Sequence, residues 1–173
     1  MKISKKYLAW TIIVCVLALA INAYIIMHSC LDATESTNAS SGVVDFVENI
    51  INTIIPGTIN ASNHDSFVTF IRKAFGHFGL FVISGLLTSL AIYLSINPLK
   101  KLKYWMLIVI SLVFGLFMGS LTEIIQLNVP GRSGEFTDVL IDFSGYIFGF
   151  LIILLIIFLV IRSNSKKKGS SLA

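Results

Sequence analysis

The side chains with the most chemistry to offer lie between Gly119 and Gly149, in a stretch flanked on both sides by long apolar runs. The candidate site residues within it are Glu123, Gln126, Arg132, Ser133, Asp138 and Asp142. Guanidinium groups bind phosphate or carboxylate, and carboxylates orient such cations or bind an amine. Ionisable groups beside apolar segments cost free energy and are usually kept where they face a bundle interior or a watery cavity. The stretch therefore predicts a site rather than a simple loop.

A second polar group precedes the apolar run at 75–96. It contains Arg72, Lys73 and His77, and the last two are four residues apart. Asp138 and Asp142 are also four apart. Residues three or four apart share a face of a helix, so each pair is expected to project toward one side.

Composition identifies the elements that must position these groups. The chain has 173 residues, of which 55% are hydrophobic and 13% charged, whereas soluble domains average about 45–50% and about 25%. This favours one small integral membrane domain. The net charge of +4 does not indicate nucleic-acid binding, because the basic residues cluster at the ends of apolar runs.

We predict an all-α membrane protein, a bundle of four transmembrane helices plus one short amphipathic extracytoplasmic helix. A run of about 20 apolar residues suffices to cross a hydrocarbon core. The predicted spans are 7–27, 75–96 with an alternative start near Phe67, 104–125 and 139–161, within a membrane domain at 7–162. Residues 28–74 form the outer loop, which carries the amphipathic helix at 43–55 and polar loops at 29–41 and 58–66. Residues 1–6 and 163–173 are the N-terminus and a basic tail.

The distribution of charge predicts the orientation. Four spans place ten of the 13 Lys and Arg residues on one side, which the positive-inside rule makes cytoplasmic. They are Lys2, Lys5, Lys6, Lys100, Lys101, Lys103, Arg162, Lys166, Lys167 and Lys168. Both termini are then cytoplasmic, and the polar groups of the second, third and fourth spans meet at the outer mouth of the bundle.

Two features are expected to shape that mouth. Gly131 and Gly134 lie in a tight turn after Pro130, where glycine permits backbone angles that other residues resist. G-x-x-x-G motifs at 115–119 and 145–149 predict close pairing of the third and fourth spans, which would aim Glu123 and Asp142 inward.

The same charges permit a purely structural interpretation. Arg72, Arg132, Asp138 and Asp142 could pair with one another and hold the mouth shut, with Asp138 stabilising a helix start. No cofactor motif is present, and neither Cys15 nor Cys30 lies in metal or disulfide spacing. We therefore predict no metal site and no cofactor.

The combined pattern resembles the VanZ-like family of bacterial membrane proteins. The resemblance is carried by 72–78, 123–126, 130–133 and 138–149, and covers roughly 7–161. It implies a multi-pass protein of the bacterial plasma membrane. Leu80 and Phe81 stand where Glu and Tyr are frequent in the family, and Asp142 where Asn is also common. The polar positions that the resemblance carries over are Arg72, Lys73, His77, Glu123, Gln126, Arg132, Asp138 and Asp142.

Three functional hypotheses follow. In the first, an outward-facing pocket binds a lipid headgroup or lipid-linked wall precursor; the resemblance implies a role in resistance to teicoplanin-type glycopeptides. The second is a membrane hydrolase or transferase acting on a lipid phosphate or ester, with His77 and Glu123 as candidate catalytic residues. His77 would serve as acid or base, with Glu123 or Asp138 as its partner. This second hypothesis is the weaker of these two, because no recognisable nucleophile motif is present. The third is a structural accessory protein without a ligand. A homo-oligomer is compatible with all three.

Overall fold

Every regular element in the described part of the chain is helical. The computed structural model describes residues 4–97 and 104–170. The elements are α1 (Lys5–Ser29), α2 (Ala33–Ile54), α3 (His64–Ile71), a π-helical segment (Arg72–Gly79), α4 (Leu80–Ile96), α5 (Tyr104–Gln126) and α6 (Phe136–Ser170).

Four of these stretches are long and apolar enough to cross a membrane, which confirms the predicted fold class. They are Lys5–Ser29, His64–Ile96, Trp105–Gln126 and Phe136–Ser163. Large apolar side chains such as Leu19 and Phe158 are exposed on the outside of the bundle, as expected of surfaces that face lipid. The lysines predicted to mark the cytoplasmic side at 100–103, and Lys2, lie outside the described residues.

Helix α4 lies at the centre of the bundle, because it packs against each of the other three spans. Helix α6 runs antiparallel to α5 and parallel to α4, while α1 packs antiparallel to α4 on the far side. Tyr146 of α6 is fully buried between α4 and α5. The contact between α1 and α4 combines an apolar cluster with hydrogen bonds. Asn22 donates to Thr88 Oγ1 at 2.9 Å and accepts from Ser84 Oγ at 2.8 Å. Such hydrogen bonds stabilise helix pairs where water is scarce.

The third and fourth spans pair as predicted, but only one of the two glycine motifs lies in their contact. Gly115 and Gly119 of α5 do face α6, because a Cβ at either would meet Tyr146 or Asp142. Gly145 and Gly149 instead lie against the second span, where a Cβ would collide with the backbone carbonyls of residues 78 and 82. The glycines of α6 therefore allow close packing against α4. Close packing between α5 and α6 depends instead on the glycines of α5.

The predicted loop at 29–41 is wrong, because α2 begins at Ala33, ten residues before the predicted amphipathic helix. Asp32 is its N-cap and Glu35 completes a reciprocal capping box, which satisfies two backbone donors at the helix start. The second span also begins earlier than predicted: α3 starts at His64 and continues through the π-helical segment into α4. At the other end of the chain, α6 continues to Ser170, through part of the predicted tail.

The turn between α5 and α6 depends on two glycines for different reasons. Gly131 has a φ of 72°, a left-handed conformation that favours glycine. Gly134 does not have a positive φ. Its Cβ would instead lie 2.7 Å from the carbonyl oxygen of Glu123 and 2.6 Å from Leu127 Cγ. The predicted turn is present, but the role of Gly134 is to let the chain pass close to the end of α5.

Candidate functional site

The π-helical segment positions three of the predicted site residues. Its i→i+5 hydrogen bonds widen the turn, so that residues four and five positions apart project toward the same side. Arg72, Lys73 and His77 therefore point together toward the ends of α5 and α6. Such wide turns occur frequently at functional sites. Gly79 lies at a close approach, since a Cβ there would lie 3.2 Å from a backbone carbonyl oxygen, whereas a Cβ at Gly76 would meet nothing within 4 Å.

His77 is the centre of a cluster of carboxylates. Its Nδ1 lies 3.0 Å from Asp142 Oδ1 and 3.9 Å from Glu123 Oε1, and its Nε2 lies 3.7 Å from Asp138 Oδ2. All three acids are buried. The expected inward direction of Glu123 and Asp142 is thus found. The three carboxylates come from two helices, so His77 joins the second span to both α5 and α6.

Lys73 makes the strongest contacts between oppositely charged groups. Its Nζ lies 2.5 Å from Asp138 Oδ1 and 3.1 Å from Glu135 Oε2. Glu135, which sequence analysis missed, also donates its backbone N–H to Glu123 Oε2 at 3.0 Å. The Lys73 ammonium holds the pKa of the exposed Glu135 carboxyl below its usual range. Lys73 therefore has the structural ion-pairing role that sequence analysis considered for the two arginines and not for Lys73.

The two arginines are bonded to neutral groups. Arg72 Nη2 donates to Ser36 Oγ at 3.2 Å, and Arg132 Nη2 donates to Gln126 Oε1. Among residues 4–97 and 105–163, whose side chains are described, neither guanidinium forms an ion pair with a carboxylate. The predicted Arg–Asp pairing at the mouth is absent there. Arg132 Nη1 is buried and has no hydrogen-bond partner.

Arg132 lies in an unfavourable electrostatic environment. Burial, followed by the positive charge of Arg72, holds the pKa of its guanidinium below the ordinary value. A buried, incompletely bonded cation is costly unless something else supplies an acceptor. A bound anion would therefore be most favourable beside these two positive charges, Arg72 and Arg132.

Two adjoining cavities open at this end of the bundle. The first, of about 180 Å³, lies between α1, α2 and the second span, and the second, of about 260 Å³, lies beside the α5–α6 turn. Four side chains line both: Arg72, His77, Gln126 and Arg132. Asp142 lines the first cavity, whereas Lys73, Ser133 and Asp138 line the second. Glu123 lines neither of the two cavities, and its Oε1 lies 3.9 Å from His77 Nδ1.

Sequence analysis missed the contribution of α1 and α2 to the first cavity. Tyr24, His28 and Ser29 of α1 line it together with Ser36 of α2. Their signal in the sequence was weak: a polar end to the first span, and the pair Asp32 and Glu35 at capping-box spacing. Leu80 and Phe81, the departures from the family pattern, form part of its apolar wall.

The site also contains a set of potential metal ligands that no sequence spacing predicted. His77, Glu123 and Asp142 each offer one donor atom, and these atoms lie within 4.8 Å of one another. The predicted absence of a metal site rested on the lack of a local motif. Here the donors come from three separate helices and meet only in the folded chain.

Comparison with known proteins places this architecture in a family. No curated protein and no solved structure matches the chain. The sequence model of the VanZ/LLP1 family matches residues 11–159, which include all four spans in large part and the whole polar cluster. This agrees with the family that the motifs resemble, and the chain is a membrane protein that belongs to the VanZ/LLP1 family.

Proposed function

We propose that the first cavity binds the anionic headgroup of a membrane lipid or of a lipid-linked cell-wall precursor. The observation that carries the proposal is the pair of guanidinium groups, Arg72 and Arg132, which line one cavity and have no carboxylate partner among the described side chains. A phosphate accepts bidentate hydrogen bonds from guanidinium groups. It would also supply the acceptor that Arg132 Nη1 lacks.

The wall of the cavity fits the remainder of such a ligand. The apolar residues that line the same cavity include Ile25, Val43 and Phe75, together with Leu80 and Phe81. Ligand sites commonly combine an apolar lining with a few fixed polar groups. An acyl or isoprenoid chain would contact this wall while its phosphate contacts the arginines.

The proposed setting is the outer leaflet of the bacterial plasma membrane. Helix directions place Lys5, Lys6 and Arg162 at the end of the bundle opposite the cavities. The positive-inside rule supports a cytoplasmic location for that end. Binding of a wall precursor there would connect the protein to teicoplanin-type resistance, and binding of an ordinary phospholipid would not.

Lipid binding to the purified protein tests the proposal. Native mass spectrometry would compare undecaprenyl phosphate, phosphatidylglycerol and zwitterionic phosphatidylcholine on wild type, Arg72→Ala, Arg132→Ala and Arg162→Ala. Hydrogen bonds to charged groups contribute about 1.5–3 kcal/mol, so each cavity variant should weaken binding of anionic lipid roughly 10- to 100-fold. Arg162→Ala, at the opposite end, should bind like wild type.

The lipid series also separates the two sources of phosphate. Preference for undecaprenyl phosphate would favour the wall precursor, and equal binding of both anionic lipids would favour a phospholipid headgroup. Equal affinity in all four proteins would refute the role of the arginines. For the antibiotic phenotype, overexpressed wild type should raise the inhibitory concentration of teicoplanin, while Arg132→Ala and Glu123→Ala should not.

One observation favours the enzymatic alternative. The imidazole of His77 is held by Asp142 at 3.0 Å beside the cavity, an arrangement that suits a general acid or base. The partner differs from Glu123 and Asp138, which sequence analysis suggested. Turnover of a labelled lipid phosphate by purified protein, lost in His77→Ala, would support this alternative over binding alone.

A further inference from the structure

We propose that His77, Glu123 and Asp142 form a binding site for one divalent transition-metal ion. The three residues come from the π-helical segment, α5 and α6. This proposal does not depend on the binding of an anionic lipid, since it concerns the carboxylate side of the cluster rather than the arginines.

The imidazole nitrogen lies at a separation from each carboxylate oxygen that one ion can bridge. Zinc takes imidazole nitrogen and carboxylate oxygen at about 2.0–2.2 Å, so two ligands of one ion lie roughly 3–4 Å apart. His77 Nδ1 lies 3.0 Å from Asp142 Oδ1 and 3.9 Å from Glu123 Oε1. The nitrogen therefore already has the required distance to each oxygen.

The second polar atom of each proposed ligand faces an outer partner. Asp142 Oδ2 accepts from Thr122 Oγ1 at 3.3 Å, and Glu123 Oε2 accepts from the backbone N–H of residue 135 at 3.0 Å. His77 Nε2 faces Asp138 Oδ2 at 3.7 Å. Metal-binding histidines and carboxylates are commonly oriented by such outer partners, which leave the inner atoms free to converge on the ion.

The charges of the three proposed ligands independently support a bound cation. Glu123 and Asp142 are 4% and 0% exposed. Among the described residues neither forms an ion pair with Lys or Arg, and His77 is the ion-pair partner of both. Two carboxylates buried beside one imidazole are poorly compensated. A divalent cation would neutralise both while His77 binds in its neutral form.

The donor set selects the class of metal. One imidazole nitrogen with two carboxylate oxygens suits zinc or manganese, whereas magnesium and calcium favour oxygen ligands alone. Three protein ligands leave a fourth position open in a tetrahedral zinc site. His77 and Asp142 both line the first cavity, so that position would face it. When the ion binds, the 3.3 Å hydrogen bond that Gln126 donates to Glu123 Oε1 would have to break.

Metal binding can be measured on the purified full-length protein in detergent. After treatment with a chelator, the protein would be equilibrated with Zn²⁺, freed of excess ion and assayed by elemental mass spectrometry. Affinity would be measured by competition with a chromophoric chelator. We expect about one ion per chain for wild type. The isosteric Asp142→Asn and His77→Ala should lose at least 100-fold in affinity, and Thr122→Val, which removes an outer partner, about 10-fold.

The chain supplies a matched control. His64 and Glu48 form a similar His–carboxylate pair at 3.3 Å, with His64 exposed, so His64→Ala should bind zinc like wild type. Asp142→Asn keeps the shape of the side chain, and its elution as a monodisperse species would show that it folds. Zinc content in wild type no higher than in His77→Ala would overturn the proposal, as would an equal loss in His64→Ala.

The outcome is separable from that of the lipid experiment. Lipid binding would be repeated with chelator present. Zinc stoichiometry near zero together with intact lipid binding would refute the metal site alone. One bound zinc ion per chain together with lipid affinity independent of Arg72 and Arg132 would refute the anion site alone.

Discussion

The ammonium of Lys73 lies 2.5 Å from Asp138 Oδ1, and this ion pair joins the π-helical segment to the first turn of α6. Asp138 is buried, whereas Lys73 is partly exposed and also contacts Glu135. The contact therefore connects two spans at the entrance of the site. It is the strongest argument that part of the cluster is structural.

Removal of either member of this pair should destabilise the bundle. Lys73→Ala leaves the buried Asp138 carboxylate without its ammonium partner and with only the more distant His77, at a cost of roughly 1–3 kcal/mol. The melting temperature of the detergent-solubilised protein, followed by intrinsic fluorescence, should fall. The reversed pair, Lys73→Asp with Asp138→Lys, should recover most of the loss. Glu135→Gln, at the exposed partner, should cost less than about 1 kcal/mol.

The reversed pair also separates structure from function. If the cluster only holds the bundle together, the double variant should recover both stability and any teicoplanin phenotype. If the site binds a ligand, stability should return while the phenotype stays lost. If the double variant recovers neither stability nor phenotype, the two positions contribute something other than this ion pair.

The close contact between α6 and the second span gives a second prediction. A Cβ at Gly149 would collide with the carbonyl oxygen of Val82 and approach the backbone nitrogen of Leu86 at 2.8 Å. Because backbone atoms cannot rotate away, Gly149→Ala should force the helices apart and destabilise the protein by about 1–3 kcal/mol or more. Thermal unfolding of the purified variant measures the effect.

Gly42 is the matched control for this substitution. It lies within α2, and a Cβ there would meet nothing within 4 Å. Gly42→Ala should therefore stabilise the protein slightly, by about 0.5–1 kcal/mol, because alanine is the better helix former. Equal melting temperatures for the two alanine variants would contradict the packing described here.

The spans and their polar ends could be predicted from sequence because lipid imposes strong constraints. Long apolar runs and basic residues at their ends leave few alternative topologies. The convergence of His77, Glu123 and Asp142 follows from the same topology, since their positions along the spans are similar. The individual partners do not follow from topology, because they depend on how each helix is rotated.

Three features lay beyond the sequence patterns. The start of α2 was obscured by Ser, Thr and Asn, which also favour loops, so that the capping pair Asp32 and Glu35 went unnoticed. The π-helical segment has no hydrophobic period of its own. Finally, Gly145 and Gly149 indicate a close contact but not which neighbour makes it, and α6 is flanked by both α4 and α5.

The Glu135 carboxyl gives a prediction of pH dependence. Lys73 depresses its pKa in the folded protein, so its contribution to stability is present above the unfolded value of about 4.3. That contribution is lost as the pH falls through the depressed folded value. The difference in melting temperature between wild type and Glu135→Gln should therefore be constant near neutral pH and shrink below about pH 4.

The size of this effect should depend on salt. The Glu135 side chain is 49% exposed, and 1 M salt reduces the screening length to about 3 Å. The difference in melting temperature between wild type and Glu135→Gln at pH 7 should therefore diminish in high salt.

A difference in melting temperature that grows on acidification would show that Lys73 does not stabilise the charged form of Glu135.

The proposed orientation can be tested with a cysteine that the chain already has. Cys30 is exposed at the end of α1, on the side of the cavities. If that end faces outward, a membrane-impermeant maleimide should label wild type in intact cells and should not label Cys30→Ser. Ser163 is exposed at the opposite end, so Ser163→Cys in the Cys30→Ser background should be labelled only after the membrane is permeabilised. The reverse pattern would place the cavities on the cytoplasmic side, and the ligand would then have to be a lipid of the inner leaflet.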